Sequence, residues 1–167
     1  MKTKTQKIVT ASMLATLCCV ATMVIKIPLA GPFKGYVNLG DCIVLLAGWL
    51  LSPSYGFAAA GIGSALADLL LGYNIYAPAT FLIKGIMALI AYYCFKALHN
   101  KLGSFSERII GGILAEAIMV LGYFVFEGFL YGFAASAVNI PLNALQGVAG
   151  LICGIILVKV FEKSKLF

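Results

Sequence analysis

Long apolar runs, separated by short breaks rich in proline, glycine and charged residues, are the feature that most constrains how this chain can fold. Of its 167 residues, 62% are hydrophobic and only 11% are charged, whereas about a quarter of the residues of a soluble domain are charged. A bilayer core takes about 20 apolar residues per helix, so this length holds six helices and short loops. We therefore predict an all-α integral membrane protein that forms one domain over residues 1–167.

The breaks divide the chain into six predicted transmembrane helices, at 8–27, 40–52, 54–72, 78–98, 108–131 and 139–161. A loop of about a dozen residues, 28–39, contains prolines and glycines and is long enough to cover a site. The second helix reaches only roughly 18 Å at 1.5 Å per residue, against ~30 Å for the bilayer core. We expect flanking residues to complete it, or part of it to lie inside the protein.

Lysine and arginine residues predict the orientation of these helices. With the N-terminus in the cytoplasm, nine of the twelve basic residues lie on the cytoplasmic side, namely Lys2, Lys4, Lys7, Lys96, Lys101, Arg108, Lys159, Lys163 and Lys165. Lys26 and Lys34 then lie outside, and Lys84 lies within the fourth helix. This arrangement obeys the positive-inside rule with both termini in the cytoplasm. Topology therefore explains the net charge of +6 better than binding to nucleic acid does.

Three charged residues, Asp68, Lys84 and Glu127, fall in the outer half of the predicted membrane segments. A charged side chain at mid-bilayer costs at least about 2.5 to 3.5 kcal/mol, so each needs a partner. One interpretation is a structural ion pair between Asp68 and Lys84, and the other is contact with a ligand. Glu127 has no second basic residue at its depth, which favours a ligand contact. Glu116 lies deeper, where we expect a structural role or a contact with a partner.

A stripe of carboxamide side chains adds to this polar region. Asn139, Asn143, Gln146 and Gly150 follow the spacing i, i+4, i+7, i+11, which places them on one face of the sixth helix. Carboxamides are costly against lipid, so this face should point inward, either to bond other helices or to bind a heterocycle. Five tyrosines could supply aromatic walls for a planar ligand, although most of them are interpreted as interfacial anchors: Tyr36, Tyr73, Tyr76, Tyr123 and Tyr131. The predicted substrate-binding residues are Asn38, Asp41, Lys84, Tyr123, Glu127, Asn139, Asn143 and Gln146.

Other patterns exclude several classes of protein. The five cysteines have no CxxC spacing and stand apart from the single histidine, so neither a disulfide framework nor a metal site is expected. The chain has no Walker A, HExxH or GxSxG sequence, and we predict no catalytic residues and no cofactor. Ala11, Ala15 and Cys19 are small residues four apart on the first helix. They favour close helix packing, either within the monomer or against a partner.

Four segments together resemble the S components, the substrate-binding membrane subunits, of energy-coupling factor (ECF) vitamin transporters. They are GYVNLGD, GSALADLLLGY followed by APATFLIKG, NIPLNALQGVAG, and the small-residue face of the first helix. The resemblance extends over essentially the full length and is strongest to the group that contains the riboflavin, hydroxymethylpyrimidine and pyridoxine proteins.

The resemblance implies a six-helix subunit in a prokaryotic plasma membrane that binds a vitamin near the outer face. It also implies docking through Ala11, Ala15 and Cys19 onto a membrane coupling subunit driven by two cytoplasmic ATPases. Cys19 replaces the alanine that is usual at its position. Acid, amide and amine groups favour a vitamin B6 form or hydroxymethylpyrimidine as ligand. Alternatives are a riboflavin-specific S component and, in other classes, a membrane enzyme or an ion-coupled carrier.

Overall fold

The protein is a bundle of helices with one pair of short strands. A computed structural model describes residues 3–28, 36–99 and 101–163. Within these ranges the elements are α1 (Lys4–Val24), β1 (Lys26–Pro28), β2 (Tyr36–Asn38), α2 (Gly40–Leu50), α3 (Pro53–Leu70), α4 (Ala77–Leu98), α5 (Ser104–Tyr131), α6 (Phe133–Ala137) and α7 (Ile140–Lys163). All helices except the five-residue α6 correspond to the six predicted segments. Four of them, α1, α4, α5 and α7, are long and apolar enough to cross a membrane.

The short helix α2 lies in the centre of the bundle. Ten of its eleven residues are buried, and it packs against α1, α3, α4 and α7. The other helices instead expose many large apolar side chains, as expected for surfaces that face lipid. Of the two expectations for the short second segment, the structure therefore shows the one in which it lies inside the protein.

Small residues allow the helices to approach each other closely. At Gly48 of α2, a Cβ atom would lie 2.6 Å from the backbone oxygen of Ala88 in α4, so only glycine fits. At Gly63 of α3, a Cβ atom would lie 2.9 Å from the Cβ of Cys18 in α1. Close packing of this kind is a principal source of stability between helices in a membrane.

The loop predicted at 28–39 begins and ends in two short strands that the sequence did not indicate. β1 and β2 pair antiparallel, with Lys26 opposite Asn38 and Pro28 opposite Tyr36, while residues 29–35 lie outside the described ranges. The strand β2 contacts both α1 and α7. We call the end of the bundle that carries this strand pair the strand end.

The break predicted after the fifth helix contains α6, which the sequence did not indicate. The Ser136 hydroxyl donates a hydrogen bond to the backbone oxygen of Phe124, at 2.7 Å, and so ties α6 to α5. The backbone N–H of Asn139 donates to the Ser136 backbone oxygen, which connects α6 to the start of the carboxamide stripe.

Candidate functional site

A polar pocket opens at the strand end, between α1, α3, α4, α5, α7 and β2. The empty space between these elements is about 520 Å³, a volume that includes the open mouth. Every described residue that lines it is polar or a tyrosine. The lining residues are Thr22, Asn38, Ser64, Asp68, Tyr73, Tyr76, Thr80, Lys84, Tyr123, Glu127, Asn143 and Gln146. The pocket therefore offers many hydrogen bonds and several aromatic rings.

The floor of the pocket is an ion pair joined to one side-chain amide. The Lys84 ammonium, 3% exposed, donates to the Oδ1 of Asp41, which is completely buried in the first turn of α2. Gln146 donates through Nε2 to the other Asp41 oxygen at 2.6 Å. The Gln146 Oε1 accepts the backbone N–H of Asn38 at 2.9 Å, which links α7 to β2. The floor thus joins four elements through one carboxylate and one amide.

The beginning of α2 is suited to hold this carboxylate. The side-chain oxygen of Asn38 accepts the backbone N–H of Gly40 at 2.7 Å, satisfying one of the free donors at the start of the helix. Asp41 lies in the first turn, where the helix dipole favours negative charge. Burial of an ion pair is costly unless further hydrogen bonds satisfy it, and Gln146 supplies one.

One side wall is built around Glu127 of α5, which is 3% exposed. Its Oε2 accepts a hydrogen bond from the Asn139 side chain at 2.9 Å, and its Oε1 accepts one from the Tyr76 hydroxyl at 3.4 Å. In the described part of the chain, no lysine or arginine pairs with this carboxylate. A carboxylate at a pocket wall with only neutral partners attracts a ligand group that donates a hydrogen bond or carries positive charge.

Tyrosine rings form the aromatic part of the lining. The Tyr123 hydroxyl lies 3.1 Å from the Thr80 hydroxyl, and its ring centroid lies 5.4 Å from the Lys84 ammonium, within cation–π range. The ring of Tyr76 packs edge-on against Tyr73 at 6.4 Å between centroids. These rings provide flat apolar surface next to hydrogen-bonding groups, which suits a planar heterocycle.

The structure brings the predicted substrate-binding residues together. Six of the eight line the pocket, namely Asn38, Lys84, Tyr123, Glu127, Asn143 and Gln146. The other two, Asp41 and Asn139, lie directly behind the lining and bond to it. The suggested ion pair is corrected, because the carboxylate that pairs with Lys84 is Asp41 rather than Asp68.

Sequence reasoning missed part of the lining. Thr22, Ser64 and Thr80 are single hydroxyls within apolar runs and gave no signal of their own. Tyr73 and Tyr76 were among the tyrosines for which both an aromatic wall and an interfacial anchor were considered, and both line the pocket.

The small residues of α1 do not form a free surface. Ala11 is buried at 8% exposure, and Ala15 and Cys19 are half-buried. The buried face of α1 packs on α3, where the Ala15 backbone lies close to Gly63. The large exposed side chains of α1 lie on other faces and include Met13, 58% exposed. Docking through the three small residues therefore remains a prediction.

Comparison with known sequences gives one family and two informative relatives. Residues 2–163 match the model of the family described as ECF-type riboflavin transporter, S component. An uncharacterised protein from Pyrococcus woesei is 35% identical over 135 residues, covering 81% of this chain and 87% of that protein. The thiamine precursor transporter HmpT of Lactococcus lactis subsp. cremoris is 22% identical over 137 residues, covering 82% of this chain and 76% of that protein.

Two solved structures share the fold. The S component of a bacterial ECF transporter superposes with a TM-score of 0.77 at 26% identity, covering 96% of this chain and 98% of that one. The S component for biotin from an ECF-type ABC transporter superposes with a TM-score of 0.62 at 16% identity, covering 95% of each chain. The family is one of membrane-embedded transporter subunits that bind vitamins, and not of enzymes. By its sequence over residues 2–163 and by its fold, this chain belongs to the ECF-type riboflavin transporter S component family.

Proposed function

We propose that this S component binds a small hydroxylated nitrogen heterocycle, either a vitamin B6 form or hydroxymethylpyrimidine. The observation that carries the proposal is the pocket lining, in which no described residue has an aliphatic side chain. A ligand that buries most of its surface in such a lining must itself carry many hydrogen-bonding groups for its size. The relative named as a thiamine precursor transporter adds support, since hydroxymethylpyrimidine is such a precursor.

Each group of the pocket has a role in this proposal. Glu127 accepts a hydrogen bond from a ring N–H or a hydroxyl of the ligand. The Lys84 ammonium has three donors and gives only one of them to Asp41, so it can also donate to a ligand oxygen. Asn143 and Gln146 bond the ring substituents, and Tyr123 covers one face of the ring.

Riboflavin is the second candidate, because the matching family model is that of riboflavin transporters. Its tricyclic ring would need a broad apolar slot. The described part of the lining offers tyrosine rings but no leucine, isoleucine, valine or methionine side chain to widen such a slot. The two candidates therefore differ in the polarity that they demand of the same pocket.

The test identifies the small molecule that the detergent-purified protein carries. Mass spectrometry after denaturation is followed by calorimetric titration with the B6 vitamers, hydroxymethylpyrimidine and riboflavin. A stoichiometric pyridine or pyrimidine supports the proposal. Tight binding of riboflavin instead would overturn the ligand and keep the family.

The pocket assignment has its own test. We expect Glu127→Ala and Asn143→Ala each to weaken binding roughly tenfold or more, since each removes a polar group at the pocket wall. Leu145→Ala is the matched control, because this neighbour on α7 is 62% exposed and lies outside the lining. Unchanged affinity in both pocket variants would remove the assignment.

We further propose the arrangement in the membrane and the partners. Six spans with both termini in the cytoplasm of a prokaryote would place the strand end and its pocket at the outer face, as the positive-inside rule favours. A C-terminal fusion to a reporter that is active only in the cytoplasm tests this orientation. An active reporter supports it, and an inactive one at normal expression contradicts it.

The proposed partners are a membrane coupling subunit and two cytoplasmic ATPases, with docking through Ala11, Ala15 and Cys19. We expect Cys19→Phe to reduce co-purification with the coupling complex while ligand binding persists. Val20→Phe is the control, because Val20 is 49% exposed and lies outside the small-residue face. Equal co-purification of both variants would contradict docking there. Transport that persists without any ATPase partner would instead favour an ion-coupled carrier.

A further inference from the structure

A second carboxyl group lies buried behind the pocket floor. Glu116, in the middle of α5, is 7% exposed, and in the described part of the chain neither of its carboxyl oxygens has a hydrogen-bond partner. Its side chain packs against α7 at two glycines. A Cβ atom on Gly147 would lie 3.0 Å from the Glu116 Oε2, and one on Gly150 would lie 3.3 Å from its Oε1. The absence of side chains at these two positions makes room for the carboxyl group.

Glu116 shares this space with the floor of the pocket. The position that a Cβ atom on Gly150 would take lies 2.7 Å from the Asp41 Cβ, so Asp41 and Glu116 approach the same point on α7 from α2 and α5. The charged residues of the floor nearest this space are Asp41 on α2, which also lies against Gly150, and its ion-pair partner Lys84 on α4. The α7 residues against it are glycines, which carry no charge.

The charges of this cluster do not balance if every group is ionised. One ammonium, on Lys84, would face two carboxylates, and it already donates to Asp41. Asp41 also receives the Gln146 amide, whereas Glu116 receives no donor from the described residues. A buried carboxylate without a hydrogen bond is strongly disfavoured, and a second negative charge nearby disfavours it further.

We propose that Glu116 is a proton-binding site inside the bundle. Its carboxyl group holds a proton, which leaves Asp41 as the one negatively charged partner of Lys84 in this cluster of described residues. If the proposed function is correct, the proton on Glu116 also keeps the Lys84 ammonium at the pocket floor, where it can donate to the ligand. Only that last consequence rests on the proposed function. The proton site itself concerns the protein without ligand.

The test uses infrared spectroscopy on the ligand-free protein in a maltoside detergent, which has no ester carbonyl groups. A protonated carboxyl group gives a C=O stretch that is separate from the amide bands and shifts in D₂O. We expect the wild-type protein to show this band at neutral pH and Glu116→Gln to lose it. Glu127→Gln is the matched control, since Glu127 accepts two hydrogen bonds, and it should keep the band.

The glutamine replacement preserves shape, and its thermal unfolding checks that the variant folds. A band that keeps its full wild-type intensity in folded Glu116→Gln, or that decreases only in Glu127→Gln, overturns the proposal. A wild-type spectrum without the band overturns it too. Because no ligand is present, these outcomes do not depend on which vitamin binds, and failure to bind any vitamin would leave the spectroscopic result standing.

Discussion

Removal of the Lys84 ammonium should strongly destabilise the protein. Lys84 is 3% exposed and Asp41 is completely buried, so Lys84→Met leaves a carboxylate in a low-dielectric interior with one amide donor. Loss of one partner from a buried ion pair costs about 3 to 5 kcal/mol. Even about 3 kcal/mol changes the ratio of folded to unfolded protein by roughly two orders of magnitude.

A second substitution isolates the contribution of charge. In the double variant Lys84→Met, Asp41→Asn, both charges are absent, and the oxygen of the introduced amide can still accept the Gln146 N–H. Replacement of both partners of a buried ion pair by uncharged residues often changes the stability little. We therefore expect the double variant to regain most of the loss, with a coupling energy of about 2 kcal/mol or more.

The assay is reversible unfolding in mixed micelles of a maltoside and dodecyl sulfate, with Lys96→Met as control. Lys96 is an exposed lysine on the same helix, so its replacement should change the free energy of unfolding by less than about 1 kcal/mol. The reasoning fails if Lys84→Met behaves like the control. It also fails if the double variant loses at least as much stability as the sum of the two single variants.

Three further predictions concern the frame around the pocket. Gly63→Leu should lower the thermal unfolding temperature by several degrees, because α1 must move away, whereas Gly103→Leu has open space and should not. Arg108→Gln breaks an ion pair between the buried Arg108, 7% exposed, and Glu162, 48% exposed, so chemical unfolding should show a loss between the roughly 1 kcal/mol of an exposed pair and the about 3 kcal/mol of a buried one. Ser136→Ala removes a buried hydrogen bond of α6 and should weaken ligand binding severalfold in calorimetry, with the fold retained.

The helices were predictable because their signal is physical and local. Each apolar run long enough for the bilayer produced a helix whose ends lie within four residues of the predicted ones, and the break at Pro53 begins α3 as a proline at the first turn should. The strands β1 and β2 were not predictable, because three residues are too few to show an alternating pattern. The helix α6 was missed for the same reason of length.

The inward-facing residues were predictable where a polar side chain occurs in a predicted membrane helix, since it is costly there against lipid. Asn139, Asn143 and Gln146 stood out because carboxamides on one face of a membrane helix need partners. The predicted ion-pair partner of Lys84 was wrong, because the depth of two residues in the membrane does not show whether their helices are in contact. Asp68 and Lys84 share a depth, but the burial of α2 brings Asp41 to the ammonium first. Such a choice depends on packing between helices, which one sequence does not encode locally.

The short length of α2 explains why a bundle of this size contains a pocket. Asp41, in the first turn of α2, pairs with Lys84, the eighth residue of α4, so α4 extends about two turns, roughly 12 Å, beyond the start of α2. A central helix as long as its neighbours would fill that space with side chains. Because α2 begins deeper in the bundle than its neighbours end, the surrounding helices enclose a volume with the start of α2 as its floor. The same shortness requires polar groups there, since the free N–H groups of a buried helix end need acceptors, and the Asn38 side chain supplies one for Gly40. The negative charge of Asp41 in the first turn also interacts favourably with the helix dipole.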